Sequence, residues 1–140
     1  MRVIGLDLGS KTIGVALSDS LGMIAHPLKT FYFRNNMLDD ALEIVVNLVK
    51  ENDVKTIVLG LPKNMDGSIG FQAQYCLDFK DMLEKELEMG VVMIDERLTS
   101  VMAERTMMSG DLDNRKRKKH VDKIAATIIL QSYLDGAKKG

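Results

Sequence analysis

The sequence predicts an α/β fold: a mixed five-stranded sheet of order 3-2-1-4-5 with helices on both faces. Three observations lead there. The first third of the chain reads as an antiparallel meander of three strands. The remainder alternates amphipathic helices with short runs that are apolar on both faces, the pattern of buried parallel strands. The composition is that of a folded chain: of 140 residues, 46% are hydrophobic, 28% are charged and only 2 are Pro, which argues against disorder. This length suits one domain, residues 1–140.

In chain order, Arg2 to Leu8 (RVIGLDL) is the first strand, with Val3, Gly5 and Asp7 on one face and Ile4, Leu6 and Leu8 on the other. Gly9-Ser10-Lys11 turns the chain, and Ile13 to Leu17 returns as the second strand of a hairpin. Met23 to Phe33 reads as the third strand. Its Pro27 lacks a donor, which predicts an edge position or a bulge. Met37 to Glu51 is a helix, with Leu38, Ala41, Val45 and Leu48 at helical spacing. Lys55 to Leu59 is a buried strand, and Gly60 to Ser68 (GLPKNMDGS) is a loop. Gly70 to Glu88 is a second helix with Tyr75, Phe79, Met82 and Leu83 on its apolar face, stopped by Gly90. Val91 to Ile94 is the fifth strand and runs into Asp95-Glu96-Arg97. A short helix is expected over Ser100 to Met108, a charged loop over Ser109 to Lys119, and a final helix over Val121 to Leu134. Right-handed crossovers then place the fourth and fifth strands beside the first.

The net charge of −1 hides an asymmetry. Residues 1–96 carry 9 Lys/Arg against 15 Asp/Glu, and residues 97–140 carry 10 against 5. The basic part contains an unbroken run, Arg115, Lys116, Arg117, Lys118 and Lys119, which is either a solvated loop or a contact for a polyanion such as nucleic acid. One cysteine excludes an intramolecular disulfide scaffold and a cysteine-rich zinc site. With no signal-peptide core and no long apolar run, the cytoplasm is the expected compartment and no membrane contact is expected.

Four acidic residues stand where a core should be. Asp7 lies inside a central strand, Asp95 and Glu96 end another, and Asp122 opens the final helix. The sheet order brings Asp7 and the Asp95-Glu96 pair to one rim, and a helix packed over that rim adds Asp122. Oxygen donors without His or Cys suit hard ions, Mg²⁺ or Mn²⁺, one or two of them. Each acid also has a plainer reading: a satisfied structural Asp7, one of Asp95 and Glu96 pointing away, and Asp122 as a helix cap. Gly5 to Gly14 (GLDLGSKTIG) resembles the opening of actin-like sugar kinases, but those close two lobes around ATP and this length supplies one. Ser10, Lys11 and Thr12 then either touch a polynucleotide phosphate or tighten the hairpin. His26 reads as structural; His120 follows the basic run, near Asp122. Neither has zinc-site spacing.

These motifs together resemble the YqgF family, also called the RuvX or Holliday-junction-resolvase-like family. The matching segments are VIGLDLGSKTIGVALSD (Val3 to Asp19), IVLGLPKNMDGSIG (Ile57 to Gly70), DERLTS (Asp95 to Ser100) and HVDKIAATIILQSYLD (His120 to Asp135), and the likeness covers essentially the whole chain. The resemblance implies a ribonuclease H-like fold and a nuclease that matures the 5′ end of pre-16S rRNA. It implies catalytic, metal-holding carboxylates at Asp7, Glu96 (with Asp95 in reserve) and Asp122. Arg97 and Thr99 would orient the scissile phosphate, Lys11 and Arg115 to Lys119 would hold the backbone, and Asn64 and Gly67 would shape the rim. Resolvases carry a further carboxylate at the end of the fourth strand; here that strand ends in Leu59-Gly60, and the Asp95-Glu96 pair is the expected substitute. The leading expectation is a Mg²⁺- or Mn²⁺-dependent phosphodiesterase, monomer or weak dimer, acting on structured ribosomal precursor RNA. The competing readings are a DNA enzyme resolving four-way junctions, a non-catalytic RNA-binding assembly factor, and a nucleotide phosphatase.

Overall fold

The computed structural model describes the backbone of residues 1–96 and 114–139, and side chains at 1–96 and 124–136. The elements are β1 (Arg2–Leu8), β2 (Thr12–Ser18), β3 (Ala25–Tyr32), α1 (Leu38–Glu51), β4 (Val54–Leu61), α2 (Phe71–Leu87), β5 (Val91–Asp95) and α3 (Asn114–Lys139). The five strands form one sheet of order β3-β2-β1-β4-β5. β1 pairs antiparallel with β2 and parallel with β4, and β4 pairs parallel with β5. The carboxyl ends of β1, β4 and β5 therefore share one rim.

Alternation along β1 sorts the two cores. Ile4, Leu6 and Leu8 pack under α1 and α2 with Val45, Leu59, Phe79 and Leu83. Val3 packs on the opposite face with Ala16, Val58, Ala126, Ile129, Leu130 and Leu134, so α3 covers that side. Gly5 lets α3 lie close. A Cβ there would sit 2.6 Å from the Leu130 Cβ and 2.9 Å from the Ala126 carbonyl oxygen. Gln131 pins the second half of α3 to the start of β3: its Oε1 accepts from the Ala25 amide at 2.8 Å and its Nε2 donates to the Met23 carbonyl at 3.2 Å. That end of β3 pairs with the end of β2, next to the start of β1, where the Val3 amide donates to the Ser18 hydroxyl at 2.8 Å. Helix α3 thus runs antiparallel to β1, and its earlier turns lie toward the carboxyl rim.

Pro27 lies in the edge strand β3 beside a register break between Val15 and Ala16, so both expectations for it hold. Many element ends differ from the sequence reading by one residue, and four differences go further. β3 begins at Ala25 rather than Met23, because Asp19 Oδ1 accepts from the amides of Met23 and Ile24 at 2.7 and 3.2 Å. β4 continues through Gly60 and Leu61, which pair with Ile94 and Asp95. The left-handed residue closing α2 is Glu88 (φ 54°), not Gly90. Helix α3 begins at Asn114, so Arg115 to Lys119 are helical rather than a loop, and Asp122 and His120 lie within α3 instead of at its start. Lys and Arg are good helix formers, and nothing between Asn114 and Val121 interrupts them. The helix expected over Ser100 to Met108 lies outside the described residues. No described helix is long and apolar enough to cross a membrane.

Candidate functional site

Glu96 is the one buried carboxylate among the described side chains, at 9% exposure. It follows β5 directly, and strand alternation puts Glu96 with Val92 and Ile94 on the α3 face, whereas Asp95 goes with Val91 and Met93 toward α1 and α2. The reason Glu96 fits is Gly60. A Cβ on Gly60 would run into the Glu96 carboxylate, 2.6 Å from its Cδ, and would lie 2.7 Å from Ile129 Cδ1. The carboxylate occupies the space above the end of β4 that any other residue at position 60 would fill.

Asp7 belongs to the same row. It alternates with Gly5 on the α3 face of β1, and the last paired residues of β1 and β4 are Leu6 and Leu59. One step further, Asp7 and Gly60 are neighbours across strands about 4.8 Å apart. Half-buried Asp7 and buried Glu96 thus lie on the α3 face of the sheet toward its carboxyl rim. The Cys76 thiol, 1% exposed at the first turns of α2, registers both charges. Its pKa is pushed up to about 12, first by burial, then by Glu96 and Asp7. The thiol is therefore held protonated at neutral pH.

Two backbone devices frame this rim. In the β1–β2 turn, the Gly9 amide donates to the Thr12 carbonyl at 2.7 Å, and the Lys11 and Ser10 carbonyls accept from the amides of Phe33 and Asn36 at 2.9 and 2.7 Å. Lys11 is exposed there. The loop after β4 closes on itself: the Asn64 amide donates to the Ser68 carbonyl and the Gly67 amide to the Asn64 carbonyl, at 3.0 and 2.8 Å. Gly67 takes φ 88°, which a side chain would strain. The Asn64 side chain lies against Gly70, whose added Cβ would meet its amide at 3.1 Å, and donates to the Ser68 hydroxyl at 3.0 Å. Gln72 then ties α2 to the rim by donating to the Leu8 carbonyl at 3.1 Å.

Of the residues singled out in the sequence, Asp7, Glu96 and Lys11 lie toward the same end of the sheet. The backbone of Asp122 lies in α3 one turn before Ala126, on the rim side of the residues that cover Gly5. Its side chain, and those of Arg115 to Lys119 and His120, fall outside the described residues, as do Arg97 and Thr99 altogether. His26 is exposed on the edge strand. Among the described residues no group of three or more His, Cys, Asp or Glu is arranged to hold a metal. In the sequence Gly60 reads only as the start of a loop. The signal for its role is there, since a glycine at the end of a buried strand marks a close approach by another group.

The sheet order and the helices on both faces define the class: this is a ribonuclease H-like fold with a carboxylate-bearing rim. The family profile described as "RuvX: Holliday junction resolvase" matches residues 1–136. A relative from Clostridium tetani, named "Putative pre-16S rRNA nuclease", is 53% identical over 135 residues, covering 96% of each chain. A relative of the same name from Staphylococcus haemolyticus is 45% identical, covering 96% of this chain and 95% of its own. The chain belongs to the YqgF/RuvX family. Among solved structures, Thermus thermophilus RuvC superposes with a TM-score of 0.60 at 11% identity, covering 99% of this chain and 97% of that one, a likeness of fold.

Proposed function

We propose that this rim is the hydrolytic centre of a metal-dependent nuclease that cuts structured precursor rRNA. The reading is supported by one feature above all: β1 and β5 end at one carboxyl rim of a ribonuclease H-like sheet, Asp7 on the first and Glu96 just after the second, with Gly60 leaving room for the Glu96 carboxylate. The residues fit a hard divalent cation. Carboxylate oxygen donors at one rim, without imidazole or thiolate, match Mg²⁺ or Mn²⁺. Asp7 and Glu96 would hold one or two such ions together with Asp122, which the course of α3 carries toward the rim. The ion supplies Lewis acidity, making water a nucleophile at neutral pH and neutralising charge at the phosphate.

The remaining work falls to the chain. Lys11, with Arg97 and Thr99, orients the scissile phosphate; the cations from Arg115 to Lys119 hold the flanking backbone. Attack on phosphorus in line with the 3′-oxygen breaks the P–O3′ bond and leaves a 5′-phosphate and a 3′-hydroxyl. Phosphate contacts give affinity without sequence information, so the structure of the RNA selects the cut. The Holliday-junction description of the family profile makes branched DNA the competing substrate.

The test is cleavage of precursor 16S RNA, free and ribosome-bound, in Mg²⁺ or Mn²⁺, with a four-way DNA junction as competitor. Asp7→Asn is expected to abolish cleavage while the fold persists. Wild-type cleavage by folded Asp7→Asn removes Asp7 from the centre. Preferred cutting of the junction reassigns the substrate. RNA binding without turnover in either metal leaves a non-catalytic assembly factor.

A further inference from the structure

We propose that Phe71, seated on Tyr75, is a stacking platform for one unpaired nucleobase beside the scissile phosphate. This rests on the reading of the rim as a nucleic-acid-cutting centre.

Phe71 is the first residue of α2 and is 77% exposed. It is nevertheless held in place. Its ring lies nearly parallel to that of Tyr75 one helical turn on, with centroids 6.4 Å apart and planes 14° apart. Tyr75 is itself 7% exposed and belongs to the core under α2. The core therefore fixes one ring, that ring supports the next, and the Phe71 ring is offered to solvent. A pre-positioned aromatic ring loses little entropy when a flat ligand covers it.

The position of this ring points to the ligand. Gln72, its chain neighbour, donates to the carbonyl of Leu8, and Leu8 adjoins Asp7. The platform thus stands at the carboxylate rim. Met65, 84% exposed, and Ile69, 46% exposed, add apolar surface from the adjoining loop. The surrounding loop is polar and of mixed charge: Asn64, the anionic Asp66 and Ser68, with Lys63 at its start and Lys11 in the β1–β2 turn. A small apolar spot centred on one ring and set among polar groups matches the flat base of a nucleotide better than the broad apolar core of a protein interface. Stacking tolerates any base but requires one that is free of its helix. The platform accordingly selects an unpaired nucleotide next to the cut and rejects a continuous duplex.

The chain contains no Trp, so Phe71→Trp installs a single fluorophore at the platform. Binding is measured without divalent metal, using a short single-stranded RNA, the same backbone carrying abasic sites, and the RNA annealed to its complement. The single strand is expected to quench the indole emission of the Phe71→Trp protein, and the abasic strand and the duplex to leave it nearly unchanged. Phe71→Ala is expected to weaken binding of the single strand roughly tenfold and to leave the abasic strand unaffected. Phe71→Leu, which keeps apolar area but loses the ring, is expected to match Phe71→Ala. Equal affinity of wild type and Phe71→Ala overturns the platform, as does equal quenching by the abasic strand. Wild-type affinity in Phe71→Leu also overturns it, assigning the patch to general apolar contact such as a protein partner. Since the readout is metal-free binding, a failure to cleave RNA tells against the hydrolytic centre alone, and loss of the Phe71 effect with cleavage intact tells against the platform alone.

Discussion

At position 60 a hydrogen atom makes the site possible. Gly60→Ala drives a methyl group into the Glu96 carboxylate and Ile129. Both are ends of flexible side chains, so the expected destabilisation is about 1–2 kcal/mol. Cleavage should fall further, about a hundredfold, because a carboxylate displaced by an ångström no longer holds its ligand. In a Glu96→Ala background the same substitution should cost less. A denaturation double-mutant cycle should then give a coupling of about 1 kcal/mol, and simple additivity would show that Glu96 does not use that space. Cys76 supplies a pH prediction. Its thiol ionises near 9 in the unfolded chain and near 12 in the folded one. Above pH 9 the unfolded state loses this proton first, so the thiol's contribution is full below pH 9 and is lost as pH rises toward 12. The stability of wild type relative to Cys76→Ala should decline by up to about 1.4 kcal/mol per pH unit in that window. A pH-independent difference would mean the thiol ionises as in water.

At the scale of the element, α3 carries the main surprise. Five consecutive cations lie in its first turns with no acidic residue there, against the positive end of the helix dipole. Successive helical positions are separated by about 100°, so five in a row circle the axis and only two or three meet any one strand. For single-stranded RNA this gives a slope near −2 for log affinity against log salt. Replacing all five, Arg115 to Lys119, with Gln, which keeps the helix, should remove most of that slope while reducing single-turnover cleavage at saturation much less. An unchanged slope would make the run solvated surface. The helical start is hard to see in the sequence because a dense run of charge looks like loop, although Lys and Arg favour helix. The apolar stretch of α3 is readable, since Ala125 and Ile129 repeat at helical spacing and are buried. The end of α2 misleads for a related reason: a glycine two residues on looks like the stop, while Glu88 itself takes the left-handed turn.

At the scale of the molecule, the sheet order is legible because chain connectivity leaves few alternatives once three antiparallel strands precede two helix-linked ones. The placement of Asp7 and Glu96 toward one rim is legible in part. Topology puts both at one rim, but only side-chain packing separates Glu96 from Asp95, and only Gly60 explains how a carboxylate fits against β4. The same sheet order leaves β3 at an edge, and Pro27 acquires a second meaning there. An edge strand is an open template on which another chain can add a strand. Pro27 withholds one donor from that template, the neighbouring register break bends it, and exposed Lys29 charges it. Where copies of the chain meet at high local density, repeated strand addition leads to filaments. Pro27→Val should therefore leave the monomer folded but increase light scattering on prolonged incubation, most of all when Lys29→Val is added, and unchanged scattering would show that the edge is protected by other means.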